Sequence, residues 1–129
     1  MQINELDKAL IYTHQALEIF NNSVEKNDFS MAPSYQRLGN IYLQKKEYIK
    51  ASEAYFNALK IVEKINKNSK ETAICYRDIA ILYYNSGNPD KALIFIKKSI
   101  NILEKNKEKL YFEVLKLLDA INYYLGVLK

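Results

Sequence analysis

A repeat of 41–42 residues constrains the fold of this chain most strongly, because internal self-similarity decides the architecture before local propensity does. A Lys-Ala step recurs at Ala9, Ala51 and Ala92, spaced by 42 and then by 41 residues. Another small residue follows each alanine seven positions later: Ala16, Ala58 and Ser99. Residues seven apart lie on one side of a helix, so small side chains there allow a neighbouring helix to approach closely.

A second pattern precedes two of these steps with an offset of 41 at every position. It reads Tyr35-x2-Leu38-Gly39-x2-Tyr42 and then Tyr76-x2-Ile79-Ala80-x2-Tyr83. The apolar spacing is that of a helix, and the small residue within it favours close helix contact. Three Gly and two Pro in 129 residues also favour long helices over a loop-rich β fold.

This combination resembles the tetratricopeptide repeat, whose pattern is W-x2-L-G-x2-Y followed by A-x3-F and a terminal P. In the first full repeat Tyr35 takes the Trp place, and Ala51, Tyr55 and Ala58 match the second helix. The second repeat matches more loosely, with Ile96 in the place of Tyr55. The period exceeds the usual 34 residues, and such long repeats are similar to those of kinesin light chains, polarity adaptors and peptide-sensing regulators of Gram-positive bacteria. The resemblance implies an all-α fold of antiparallel helix pairs stacked in a right-handed superhelix, an α-solenoid.

The spacing and turn signals predict about six helices, near 4–22, 31–45, 48–66, 70–86, 89–105 and 107–126. We expect one domain over 1–129, with a half repeat (4–22), two repeats (31–66 and 70–105) and a terminal half repeat or cap (107–126). Asn88 is the predicted N-cap of a helix that begins with Pro89, and Ser69 is the predicted N-cap of the preceding one. Asn27–Ser30 is a further predicted break.

The two ends of the chain lack partner helices, which leaves three alternatives open. The chain is cut from a longer array, or its last helix caps a small domain. Alternatively, the first helix of one molecule pairs with the last helix of another, giving a homo-oligomer through the terminal helices.

Composition and motifs argue against nucleic-acid binding, a membrane span, metal binding and catalysis. The net charge of +4 is spread over interleaved Lys and Glu without a basic cluster, so nucleic-acid binding is disfavoured. No apolar stretch approaches the roughly 18 residues of a membrane span. The single cysteine, Cys75, indicates a packed thiol in a reducing, cytoplasmic compartment, and His14 indicates a surface histidine. No phosphate-binding or metal-ligand spacing occurs, so we expect no enzyme activity, cofactor or metal.

The resemblance implies that the first helix of each repeat lines a concave, ligand-binding face. The residues that this places on the face are Gln36, Arg37, Asn40, Leu43, Gln44, Arg77, Asp78, Ile81, Tyr84, Asn85, Ile121 and Tyr124. Asn40 takes a position at which such repeats bond a peptide backbone. Tyr84 and Tyr124 form an expected aromatic stack. Arg37 and Arg77 either receive a ligand carboxylate or pair with Asp78 and other acids of the chain.

The predicted function is therefore a protein- or peptide-binding scaffold module with its ligand on the concave face. Two alternatives remain: self-assembly through the unpaired terminal helices, and a sensor segment of a larger bacterial regulator in which ligand binding shifts the superhelix.

Overall fold

The structure, a computed structural model, describes residues 4–21 and 31–128. These residues form six α-helices and no strand: α1 (Glu5–Asn21), α2 (Met31–Gln44), α3 (Tyr48–Asn66), α4 (Lys70–Asn85), α5 (Pro89–Leu103) and α6 (Lys109–Leu128). The predicted all-α helical-repeat fold is confirmed, and each helix begins and ends within two residues of its predicted bounds. The break predicted at Asn27–Ser30 lies outside the described residues.

Both predicted N-caps are present. The first amide groups of a helix have no partner within the helix, and short polar side chains such as Ser and Asn accept hydrogen bonds from them. The Ser69 hydroxyl accepts a hydrogen bond from the amide of Thr72 at 3.2 Å, and Asn88 Oδ1 accepts one from the amide of Lys91 at 3.4 Å. Pro89 occupies the start of α5, where its missing N–H costs nothing.

The C-terminal ends of α2 and α4 share one turn geometry. The amide of Glu47 donates to the carbonyl of Tyr42 at 2.9 Å, and the amide of Asn88 donates to that of Tyr83 at 2.8 Å. The residue before each amide is left-handed, with φ of 61° at Lys46 and 82° at Gly87. Lys46 and Gly87 are 41 residues apart, so the sequence repeat is also a repeat of backbone conformation.

The chain consists of two compact units, unit 1 (Met1–Ile65) and unit 2 (Asn66–Lys129). The boundary falls close to the end of the first predicted repeat. The right-handed superhelix and the single domain over 1–129 remain predictions.

In unit 1, α1 packs against α2, and α2 and α3 share a hydrophobic cluster. Leu17, Met31, Leu38 and Ala54 form its buried centre. Gly39 lies against the ring of Tyr55 so closely that an added Cβ would stand 2.5 Å from two ring carbons. The close approach predicted for the small residue of this face is therefore present.

In unit 2, α5 packs against both α4 and α6, and α4 also contacts α6. Ala80, Ala92 and Ile96 belong to its core, as the repeat predicts, and Ala73 is buried with them. The Ser99 hydroxyl, which is fully buried, donates to the carbonyl of Ala73 at 2.8 Å. A small hydroxyl residue thus fits at this repeat position because a backbone acceptor lies within reach.

The last helix completes the core of unit 2 through its apolar side. Leu110, Val114 and Ile121 are buried in the same cluster as the α4 and α5 residues. The spacing of these residues gives α6 one apolar face, which packs into the core.

Candidate ligand-binding faces

In unit 2, one side of α4 is open to solvent and carries four of the predicted site residues. Arg77, Ile81 and Tyr84 are partly buried and Asn85 is exposed. Spacings of three and four residues place them along one stripe of the helix. Much of the rest of α4 is buried in the core, so this stripe is a candidate for ligand contact.

Tyr124 joins this stripe from α6. Its ring packs edge-on against the ring of Tyr84, with centroids 5.6 Å apart and an interplanar angle of 70°. Both rings are partly buried, and the Tyr124 hydroxyl lies near Gly87, 3.8 Å from where a Cβ would stand. The aromatic pair is a rigid apolar surface with polar tips, of the kind that anchors peptide ligands.

Ile121, also expected on this face, does not belong to it. Its side chain is fully buried in the core of unit 2. The prediction was wrong because Ile121 is two turns from Val114 on the apolar stripe of α6 that packs into the core, whereas the partly buried Tyr124 lies at the edge of that stripe.

Arg77 is engaged within the chain. Its Nη2 and Nε donate to Asp78 Oδ1 at 2.9 and 3.3 Å. Asp78 is buried, and this burial raises the pKa of its carboxyl above the ordinary value despite the neighbouring Arg77 guanidinium. Of the two arrangements predicted for Arg77, the structure has the one in which Arg77 pairs with Asp78. Asp78 was expected on the ligand-binding face, but it is buried and does not belong to that face.

In unit 1, the corresponding side of α2 is polar. Arg37, Asn40 and Gln44 are exposed and spaced three and four residues apart, whereas Gln36 and Leu43 are partly buried. Arg37 forms no ion pair with any described residue of the chain. Its guanidinium is thus available to an external acceptor, unlike that of Arg77.

The structure adds one polar contact that the sequence did not indicate. The hydroxyl of Tyr55, on the buried side of α3, donates to Asn40 Oδ1. In this orientation the two N–H groups of the Asn40 amide remain for an external acceptor. The repeat pattern identified Tyr55 as a packing residue only, because periodicity carries no information about hydrogen bonds.

The isolated reactive residues have packing or surface roles. Cys75, the single cysteine of the chain, is buried in α4. His14 is exposed, with Nε2 3.3 Å from the hydroxyl of Tyr42. Among residues 4–21 and 31–128, no three His, Cys, Asp or Glu side chains converge on a position where a metal ion could bind. In the same residues, no helix combines the length and apolar content needed to cross a membrane.

Comparison with known proteins bears on what these faces do. A sequence profile of the tetratricopeptide repeat matches residues 30–105. The chain is also 28% identical over 115 residues to response regulator aspartate phosphatase E of Bacillus subtilis. That alignment covers 89% of this chain, and the chain spans 30% of the length of that relative.

Proposed function

The chain belongs to the tetratricopeptide-repeat family, and from this premise we propose that it is a module that binds protein or peptide ligands. The exposed side of α4 in unit 2 is one candidate face, and the exposed side of α2 in unit 1 is another. The family is generally an interaction scaffold rather than a catalyst. The observation that carries the proposal is the Tyr84–Tyr124 pair, which holds two half-buried rings at the surface of unit 2. A buried pair would be explained by core packing alone, whereas this pair retains solvent-accessible area.

Energetics favour the aromatic pair as the anchor. Truncating a tyrosine that is a binding hot spot to alanine weakens the complex by about 2 kcal/mol or more, which corresponds to about thirtyfold in affinity. Mutual packing fixes the two rings before a ligand arrives, so little side-chain entropy is lost on binding. Ile81 extends the apolar surface by one turn, and Asn85 offers amide donors and an acceptor at its edge.

Unit 1 contributes a different chemistry. Arg37 offers a free guanidinium, and Asn40 offers amide N–H groups held in place by Tyr55. Both groups donate hydrogen bonds, so α2 suits carbonyl or carboxylate acceptors of the ligand. Tyr55→Phe would remove the hydroxyl that orients Asn40 while keeping the ring against Gly39.

The test is selection from a random peptide library on the intact chain, followed by titration calorimetry with the selected peptides. We expect Tyr84→Ala and Tyr124→Ala to weaken binding by at least about tenfold. Tyr123→Ala is the matched control, because Tyr123 is the neighbouring tyrosine of α6 but is 77% exposed and has no ring partner among the described residues. Equal affinity of all three variants, with unchanged helical circular dichroism, would refute the assigned face.

A second candidate function is suggested by the relative whose name refers to response regulators. We propose that the module belongs to a bacterial regulator and that its protein ligand is a response regulator. Binding of purified receiver domains, unphosphorylated and phosphorylated, would be measured by surface plasmon resonance. Saturable binding that Arg37→Ala or Tyr84→Ala weakens would support this function, whereas absence of binding to every receiver tested would remove it.

A further inference from the structure

A groove in unit 1 shares no lining residue with the Tyr84–Tyr124 face of unit 2. Its volume is about 720 Å³, and it is open to solvent on one side. The residues that line it come from α1, α2 and α3: Asn21, Met31, Tyr35, Asn57, Lys60, Ile61, Lys64 and Ile65. This volume falls in the range of roughly 300–1,000 Å³ that is usual for ligand sites.

The floor of the groove is apolar and continuous with the core of unit 1. Met31 is buried in the hydrophobic cluster, and Tyr35 and Ile61 pack against that cluster. Ile65 extends the apolar surface outward and is itself 57% exposed. Ile65 thus adds exposed apolar area at the rim of the groove.

The charged side chains among the described lining residues are both basic. Lys60 and Lys64 lie one turn apart on α3, and no Asp or Glu of residues 4–21 and 31–128 lines the groove. Neither lysine forms an ion pair with a described residue. Two unpaired ammonium groups beside an apolar floor complement a ligand that combines carboxylates with an apolar side chain.

The remaining polar groups distinguish between ligand shapes. Asn21, Asn57 and the Tyr35 hydroxyl offer both donors and acceptors, which a peptide backbone uses and a hydrocarbon tail does not.

We propose that this groove is a second peptide-binding site, specific for a short acidic segment with a central aliphatic or aromatic side chain. The apolar side chain occupies the floor beside Met31 and Ile61, and the flanking carboxylates face Lys60 and Lys64. This site is independent of the proposed function of the α4 and α6 face.

The probes are fluorescein-labelled heptapeptides with a central Leu, Ile or Phe flanked on both sides by Glu, and matched peptides with Gln in place of Glu. Binding to the intact chain is measured by fluorescence polarisation at low salt and at about 0.3 M salt, where charge contacts at the surface are more strongly screened. We expect saturable binding of at least one Glu peptide, at least about tenfold weaker binding of its Gln counterpart, and weakening by salt.

Variants separate this groove from general charge effects. Lys60→Gln with Lys64→Gln is expected to weaken binding by about tenfold, and Ile65→Ser is expected to weaken it independently. Lys97→Gln with Lys116→Gln is the matched control, because these exposed lysines of unit 2 carry the same charge and have no ion pair with a described residue. Tyr84→Ala is expected to leave binding unchanged, so failure here is distinguishable from failure of the proposed function.

Three results would overturn the proposal. One is equal weakening by the two lysine pairs, which would indicate non-specific attraction. Another is unchanged binding in Ile65→Ser and in the Lys60 and Lys64 variant. The third is absence of binding by every probe, together with a lower melting temperature of the Lys60 and Lys64 variant, as expected if the chain's own residues occupied the groove.

Discussion

Replacing Lys46 with glycine is expected to stabilise the protein, although it removes a side chain. Lys46 lies in the turn that follows α2 and has φ of 61°, a conformation that costs a residue with a Cβ about 1–2 kcal/mol relative to glycine. Glycine also has greater backbone freedom in the unfolded chain, and the entropy that it loses on folding reduces the stabilisation by about 0.4–1 kcal/mol. The net expectation for Lys46→Gly is a rise of about 0.5–1 kcal/mol in the free energy of unfolding.

The Lys46 side chain should contribute little to offset this gain. It is exposed, and it forms no hydrogen bond or ion pair with a described residue. Its amide donates to the carbonyl of Leu43 at 3.0 Å, and glycine keeps that amide. The variant therefore changes the backbone conformational energy and almost nothing else.

Urea unfolding followed by circular dichroism is the appropriate assay. With an m-value of about 1–3 kcal/mol/M, the expected gain moves the midpoint upward by a few tenths of a molar. Lys46→Ala is the control, since it removes the same side chain but keeps the Cβ, and it should give no comparable gain. If Lys46→Ala stabilised as much as Lys46→Gly, the side chain and not the left-handed backbone would be responsible, and the reasoning would fail.

The equivalent residue of the next repeat provides a reciprocal test. Gly87 has φ of 82°, and a Cβ added there would meet only the Tyr124 hydroxyl, at 3.8 Å. That is an ordinary van der Waals distance, so the cost of Gly87→Ala comes from the backbone. We expect a loss of about 1 kcal/mol, and a neutral result would contradict the account of both turns.

Three further predictions concern packing, titration and association. Gly39→Ala should lower the free energy of unfolding by about 1–3 kcal/mol, because the added Cβ overpacks against Tyr55. Tyr55→Ile, which places the residue of the next repeat there, should reduce this loss in a double-mutant cycle measured by urea unfolding. Additive losses from the two substitutions would contradict direct contact between these residues. Because burial raises the pKa of Asp78, the folded state takes up this proton at a higher pH than the unfolded chain does. Stability of the wild type should therefore rise relative to Asp78→Asn as pH falls through the raised pKa towards 3.8, a trend measured by paired urea titrations between neutral and acidic pH; the opposite trend would mean that the pairing with Arg77 outweighs burial. Light scattering over a concentration series should show any self-association through α6. Phe112→Ser with Tyr123→Ser should abolish it, since these exposed residues lie opposite the buried face of α6. An unchanged oligomer in this variant would exclude this side of α6 as the contact between molecules.

The site residues were predicted from the resemblance to the tetratricopeptide repeat, and helical periodicity accounts for part of that prediction. The spacing of Arg77, Ile81 and Tyr84 places them on one stripe in any regular helix. The prediction that Tyr84 and Tyr124 form an aromatic pair also agrees with the structure. Periodicity was less informative for Ile121, because choosing between the open side and the core side of α6 requires knowing where α4 and α5 lie.

The sequence by itself determined the helices, their caps and the repeat, since these depend on residues within a few positions of one another. Ser69 and Asn88 bond amides three residues away, and the small residues recur at a fixed period. The tertiary structure alone decided that Arg77 is engaged by a buried Asp78, that Tyr55 orients Asn40, and that a lysine-rimmed groove opens between three helices. Side-chain rotamers and the spacing between packed helices set these contacts, and no linear pattern specifies them.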